Sequence, residues 1–250
     1  MKINTNLKAL GVATTMLTGL VLGGSITSYA ADGGEYQTNA IIEFEPATNI
    51  ITPPVDPTNP GNPDPVDPVD PTDPNGPKPG TPGPLSIDYA SSLDFGKQKI
   101  TSTNQDYKVK PQKFGGRGDG PNYVQVTDSR GTEKGWSLQV KQNGQFKSTT
   151  DKELTGAEIT FKNAWVSTAS ASPKPSIVKT SFSLNPDGKG VADNIMSAKA
   201  GEGLGTYLLV FGDDATAAES IELNIPGSTT KYAEKYSTSL TWTLTDVPGQ

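Results

Sequence analysis

Residues 135–141, GWSLQVK, and residues 239–245, SLTWTLT, carry one pattern twice: a tryptophan, a single polar residue, a leucine. Side chains two apart along a strand share a face. Trp136, Leu138 and Val140 therefore line one face, with Ser137, Gln139 and Lys141 opposite. Leu240, Trp242 and Leu244 line another, with Thr241, Thr243 and Thr245 opposite. Each stretch reads as a half-buried strand whose aromatic and aliphatic side chains plug into a core.

The text around them is of the same kind. After Pro84, short runs rich in Val, Ile, Thr, Phe and Tyr recur between turn clusters: LSIDY, NYVQVTD, AEITFKNAWVS, TSFSL, GTYLLVF and SIELNI. Gly- and Pro-rich punctuation, such as FGGRGDGPN, NPDGKG and AKAGEG, separates them. Helical periodicity is confined to a turn or two around DDATAAES. The expected fold is all-β: a single antiparallel β-sandwich-like domain whose main body is 85–250. NAIIEFEP, at residues 39–46, also reads as a strand, placing a strand of the 31–52 segment in the same sheet.

Between these parts lies PPVDPTNPGNPDPVDPVDPTDPNGPKPGTPGP, residues 53–84, which holds thirteen of the 21 prolines. Proline fixes φ and removes a donor, so this segment is expected to be an extended, solvated loop or linker outside the core. Fully extended, it would reach on the order of 100 Å. Residues 1–30 read as a secretory signal: Lys2 and Lys8, an apolar stretch, then small Ser28 and Ala30 before a cleavage point. No later apolar run has the length of a membrane span, so no membrane insertion is expected once the signal is removed.

Composition excludes much chemistry. There is no histidine and no cysteine, which removes the usual general base, thiol nucleophiles and the common zinc ligands. Ser228 and Lys231 fit S-x-x-K, but the S-D-N and K-T-G elements that accompany such a dyad are absent, and Gly227 makes the stretch a turn. Asp213 and Asp214 sit together in another turn. No catalytic residue, metal site or cofactor is expected, and a secreted hydrolase is the least favoured reading. The formal net charge is −6, and the excess acid lies before Leu85. From Leu85 onward eighteen acidic residues balance eighteen basic ones, with no basic stripe for nucleic acid. Bulk charge should not draw such a chain to a bacterial wall rich in anionic polymers, so any wall binding would have to come from local contacts in the neutral part. No LPxTG-like sorting motif is present, so the protein is expected to leave the cell without a covalent means of staying on it.

Two larger patterns now become visible. VTDSRGTEKGWSLQV and the terminal YSTSLTWTLTDVP resemble the proximal and distal motifs of the WxL domain family of Gram-positive surface proteins. The distal match includes Tyr236, Leu240-Thr241-Trp242, Leu244 and Pro248, and PPVDPTNP and GPLSIDYASSLDFG resemble that family's N-terminal half. Residues 90–92 lack a proline that the family pattern carries there. The likeness runs from about residue 39 to the end. It implies a small WxL protein, secreted and held non-covalently on the cell wall through peptidoglycan, acting with larger WxL proteins and a membrane-anchored WxL-interacting protein. Trp136, Leu138, Trp242 and Leu244 then either stack on wall sugars or, as period-2 packing favours, form core that shapes a binding groove elsewhere. Trp165 is a further stacking candidate. Arg117-Gly118-Asp119, in a stretch expected to be flexible and exposed, offers a rival reading as an adhesin contacting an integrin or another host matrix protein.

Overall fold

A computed structural model describes residues 35–184 and 191–249. The signal read at residues 1–30 and the turn read at 185–190 lie outside the described residues. The chain divides into Met1–Glu43 and Phe44–Gln250. Of the first unit, residues 35–43 carry no regular secondary structure, and Ile41 and Ile42 are 98% and 76% exposed. Residues 39–46, read as a strand from sequence, carry no regular secondary structure.

Among the described residues, the second unit holds every strand. In chain order these are β1 (Asp67–Pro68), β2 (Leu85–Ala90), β3 (Gln105–Lys108), β4 (Gln112–Gly115), β5 (Arg117–Gly120) and β6 (Asn122–Asp128). There follow β7 (Trp136–Gln142), β8 (Lys147–Ser148), β9 (Glu158–Phe161), β10 (Ala164–Ser167), β11 (Ile177–Val178) and β12 (Phe182–Ser183). The last are β13 (Val191–Ala198), β14 (Gly205–Phe211), β15 (Ile221–Ile225), β16 (Tyr236–Ser237) and β17 (Leu240–Thr245). A 3-10 turn at Ala217–Glu219 is the one helical element among the described residues, where DDATAAES placed it. Among the described residues, no helix is long and apolar enough to cross a membrane.

All ladders are antiparallel. Where a sandwich would show two facing sheets, the described strands form three four-stranded sheets, β10-β14-β6-β2, β11-β13-β7-β17 and β12-β9-β15-β3, with two smaller ones, β1-β4-β5 and β16-β8. All three sheets contribute to one core, with Val124, Tyr207 and Leu209 from the first, Trp136, Leu138 and Met196 from the second, and Ile159, Phe161 and Ile221 from the third. β13 has no counterpart among the runs read from sequence. Its register shifts between Ala192 and Met196, and Asn194 sits at φ 49, so a bulge breaks the alternation that marks a strand.

The proline-rich segment departs most from expectation. It is not a solvated linker but a strap docked on the outer face of the β10-β14-β6-β2 sheet. There Tyr89, Tyr123, Leu208 and Val210, with Phe114 of β4, form a second apolar cluster against which Val55 and Val66 pack. The Gln125 amide receives the Val55 N–H (2.8 Å) and donates to the Pro53 carbonyl (3.0 Å). Val69 N–H donates to Lys113 O (2.8 Å), β1 pairs with β4, and Ser92 donates to Asp70 (2.8 Å). Few of its residues are left with a free donor, which is what lets a proline-rich chain lie against a sheet face at little polar cost.

Candidate functional site

The two W-x-L stretches are neighbours. β17 pairs with β7 so that Trp242 lies opposite Val140 and Leu244 opposite Leu138. Each tryptophan thus caps one end of an interlocked four-residue set, and the repetition in the sequence is the record of one strand pair. Trp136, Leu138 and Val140 are fully buried. The Trp136 indole N–H donates to the Gly203 carbonyl (2.9 Å), and its ring centroid lies 6.2 Å from that of Tyr207. Trp242 is half-buried and meets Phe161 edge to face at 6.3 Å.

Neighbouring residues of both motifs have definite work. Arg130 forks onto Asp128 through Nε (3.0 Å) and Nη2 (2.8 Å), and Nη2 also donates to the Gly135 carbonyl (2.7 Å). The buried Asp128 carboxylate so fixes the turn that delivers Trp136 into the core. A Cβ at Gly135 would stand 2.4 Å from the Ala198 carbonyl oxygen, and one at Gly203 would stand 2.7 Å from the Trp136 indole nitrogen. At the distal end, Ser137 Oγ donates to Val247 O (2.8 Å) and Gly249 N–H to Ala198 O (3.0 Å), laying the tail over β7 and β13. The Tyr236 hydroxyl accepts the Tyr232 N–H (3.0 Å). Sequence reading passed over Asp128 and Arg130; a D-x-R spacing one short turn before a Gly-Trp strand start was their signal.

A family model described as WxL domain, surface cell wall-binding, matches residues 31–248. The chain belongs to the WxL domain family. No curated protein and no solved structure matches it. A cell-wall-binding surface domain is therefore what the fold carries, and its two signature motifs are joined in one ladder of its core.

The surface of this WxL domain offers other groups to a ligand. Trp165 on β10 is 39% exposed, and its N–H donates to Gly212 O (2.8 Å), which fixes the ring. It lies opposite Val210 on the face that carries the strap. Farther along that face a cleft of about 280 Å³ runs between the strap and the sheet, lined by Val55, Pro60, Ala169, Ser170, Gly205 and Thr206. Under the strap, Asp88 is buried and accepts from Ser86 (2.6 Å), Thr127 (2.6 Å) and Gln125 (2.9 Å). Burial nonetheless holds its carboxyl above the usual range. Among the described residues, no three of His, Cys, Asp or Glu come together to hold a metal ion.

The Arg117-Gly118-Asp119 stretch is β5 of a hairpin, not a flexible loop. Arg117 is paired with Asp56 of the strap, and its guanidinium carbon sits 4.7 Å from the centre of the Phe114 ring. Gly118 and Asp119 are exposed. The arginine that a host receptor would read is thus engaged within the molecule.

Proposed function

We propose that this WxL protein is exported and held on the bacterial cell wall without a covalent bond, with peptidoglycan as its ligand. The observation that carries the reading is the match of a cell-wall-binding family model to residues 31–248. The molecule acts as a binder; a chain without histidine and cysteine is poorly equipped for catalysis at neutral pH. In this reading Trp136, Leu138, Trp242 and Leu244 are framework: the Trp136 indole is fully buried and bonded to a backbone carbonyl, and half-buried Trp242 and Leu244 pack against the core, Trp242 edge to face on Phe161. Contact with the glycan falls to the fixed, exposed ring of Trp165 and the cleft along the strap. Such a ring stacks on the apolar face of a pyranose for roughly 1 kcal/mol or more.

Purified protein is expected to sediment with detergent-stripped Gram-positive peptidoglycan and to be released by chaotrope. Trp165→Ala should melt like the parent and sediment several-fold less. Release by moderate salt alone would point to anionic wall polymers instead of peptidoglycan, and absence of sedimentation with any wall preparation would end the reading.

A further inference from the structure

The cleft between the strap and the sheet has a floor whose hydrogen-bond polarity is set from beneath. Thr206 of β14 stands opposite Thr127 of β6, and Thr127 bonds onward to Asp88, which a bulge between Ile87 and Tyr89 leaves unpaired on β2. Asp88, Thr127 and Thr206 thus form a row across three strands that ends in the cleft. Asp88 Oδ2 receives the Gln125 amide N–H (2.9 Å) and the Thr127 hydroxyl (2.6 Å). Filled by two donors, that oxygen is an acceptor. The single Thr127 proton is spent on it, so the 2.9 Å contact between the Thr127 and Thr206 hydroxyls is donated by Thr206. Thr206 therefore shows the cleft its lone pairs and no proton. Ser170 does the same, because its hydroxyl donates to the Leu204 carbonyl.

Around this acceptor-only floor the walls are apolar. Val55 and Pro60 of the strap form one side and Ala169 the other, and none of the described lining residues is charged. At about 280 Å³ the cleft is at the small end of ligand pockets, the size for part of a sugar and not for a folded peptide. A carboxylate or phosphate brought here would meet lone pairs and no cation, an uncompensated burial of charge. A group that brings its own donors beside a small apolar end fits. The acetamido group of an amino sugar has that form, one N–H next to one methyl. In N-acetylglucosamine the neighbouring ring hydroxyl is a second donor. In N-acetylmuramic acid the same oxygen is an ether carrying the lactyl group and has no proton to give.

Resting on the reading that Trp165 and this cleft meet the wall glycan, we propose that the cleft is a subsite for an N-acetylglucosamine residue. The acetamido N–H donates to Thr206 Oγ1, the neighbouring hydroxyl donates to Ser170 Oγ, and the methyl packs among Val55, Pro60 and Ala169. Beyond β10 the chain keeps its place beside β14, where Thr168 Oγ1 donates to Thr206 O (2.6 Å). Along such an extended chain Ala169 lies about 13 Å from Trp165. One ring does not span that distance, so a different sugar of the same glycan stacks on Trp165.

N-acetylated chitotetraose and cellotetraose share a backbone and differ in one group, acetamido in the first and hydroxyl in the second. Both are titrated into the purified protein by calorimetry, alongside sedimentation with peptidoglycan. The acetylated probe is expected to bind about tenfold tighter or better. Thr206→Val keeps the side-chain shape and removes the acceptor. It should weaken the acetylated probe roughly tenfold, leave cellotetraose unchanged and melt like the parent. Trp165→Ala should weaken both probes alike. Equal binding of the two probes by the parent overturns the subsite, and that comparison needs no variant. So does Thr206→Val binding the acetylated probe as the parent does, or a parent that sediments with peptidoglycan yet binds neither probe. These three results leave wall attachment standing, whereas a protein that neither binds the probes nor sediments ends both readings.

Discussion

Replacing Trp136 with alanine separates a framework role from a ligand contact. The side chain is fully buried, its N–H is satisfied by Gly203 O at 2.9 Å, and Tyr207 packs against the ring. Truncating a buried aromatic costs about 3–5 kcal/mol through lost transfer energy and the cavity left behind. The Gly203 carbonyl, left without its donor, adds to this unless water enters. For a domain of this size each kcal/mol lowers Tm by roughly 2–4 °C, so a fall of about 10–15 °C is expected. Trp242→Ala, at a half-buried edge position, should cost about 2–3 kcal/mol and about half that shift in Tm. Thr243→Ala, on the exposed face of the same strand, should stay within about 0.5 kcal/mol. Thermal melts and wall sedimentation are measured on the same samples. A Trp136→Ala protein that melts within 2–3 °C of the parent while losing the wall would refute the packing argument and make the indole the ligand contact.

Gly203→Ala should lower stability by about 2–4 kcal/mol in urea melts, because its Cβ would sit 2.5 Å from the Ala198 Cβ at a backbone φ of +80°. Tyr123→Phe should be neutral or stabilising by up to about 1 kcal/mol, since the buried hydroxyl it deletes has no hydrogen-bond partner among the described residues. Two aspartates, Asp88 beneath the strap and Asp56 within it, respond oppositely to pH. Burial holds the Asp88 carboxyl above 3.8 despite its three hydrogen bonds, so its contribution to stability is full below that value and lost as pH rises through the raised folded value. For Asp56, burial acts upward but the Arg117 and Thr58 hydrogen bonds outweigh it, so its contribution is present above 3.8 and lost as pH falls through the depressed value. Asp88→Asn should therefore melt at or above the parent at pH 7 and lose that advantage on acidification; a loss of more than about 2 kcal/mol at pH 7 would show that the charge itself is needed.

What sequence could deliver followed period and punctuation. The strands at β2, β6, β7, β15 and β17 were readable because each keeps a period-2 run between Gly, Pro or Asn turns, and β14 because its continuous apolar run over residues 207–211 has the length of a buried strand. AEITFKNAWVS hid a break, since Asn163 turns at φ 52 and splits it into β9 and β10. VADNIMSA was passed over because its bulge places polar Asp193 and Asn194 together. That the two W-x-L stretches pair with each other is a long-range fact; local pattern gives a strand's faces but not its neighbour. The same holds for the sheets, whose number and closure no segment states. At the site, burial of Trp136 followed from alternation, whereas the half-exposure of Trp242 depends on β17 being terminal.

The strap shows how far a compositional reading can mislead. Counting prolines gave a spacer, yet the segment contains Val-Asp-Pro three times, at 55–57, 66–68 and 69–71. In each unit the valine N–H is bonded: Val55 to Gln125, Val66 to Pro54 O and Val69 to Lys113 O. Val55 and Val66 also supply the apolar contact, and the following aspartates reach Arg117 from Asp56 and Ser92 from Asp70. The surrounding prolines lower the entropy lost on docking, because the free chain is already restricted. A spacer makes no such use of its non-proline residues, so the two readings differ in a measurable way. A protease that cuts before valine should leave the parent uncut at Val55, Val66 and Val69. The double variant Val66→Ala, Arg117→Ala loses apolar burial worth about 1 kcal/mol and an ion pair with its cation–π contact worth about another. Cleavage at Val55 or Val69 should then rise roughly 30-fold, the factor that about 2 kcal/mol of opening free energy implies when reclosing outpaces cutting. Equal cleavage of parent and variant would mean that these contacts do not hold the segment down, and that the spacer reading was right.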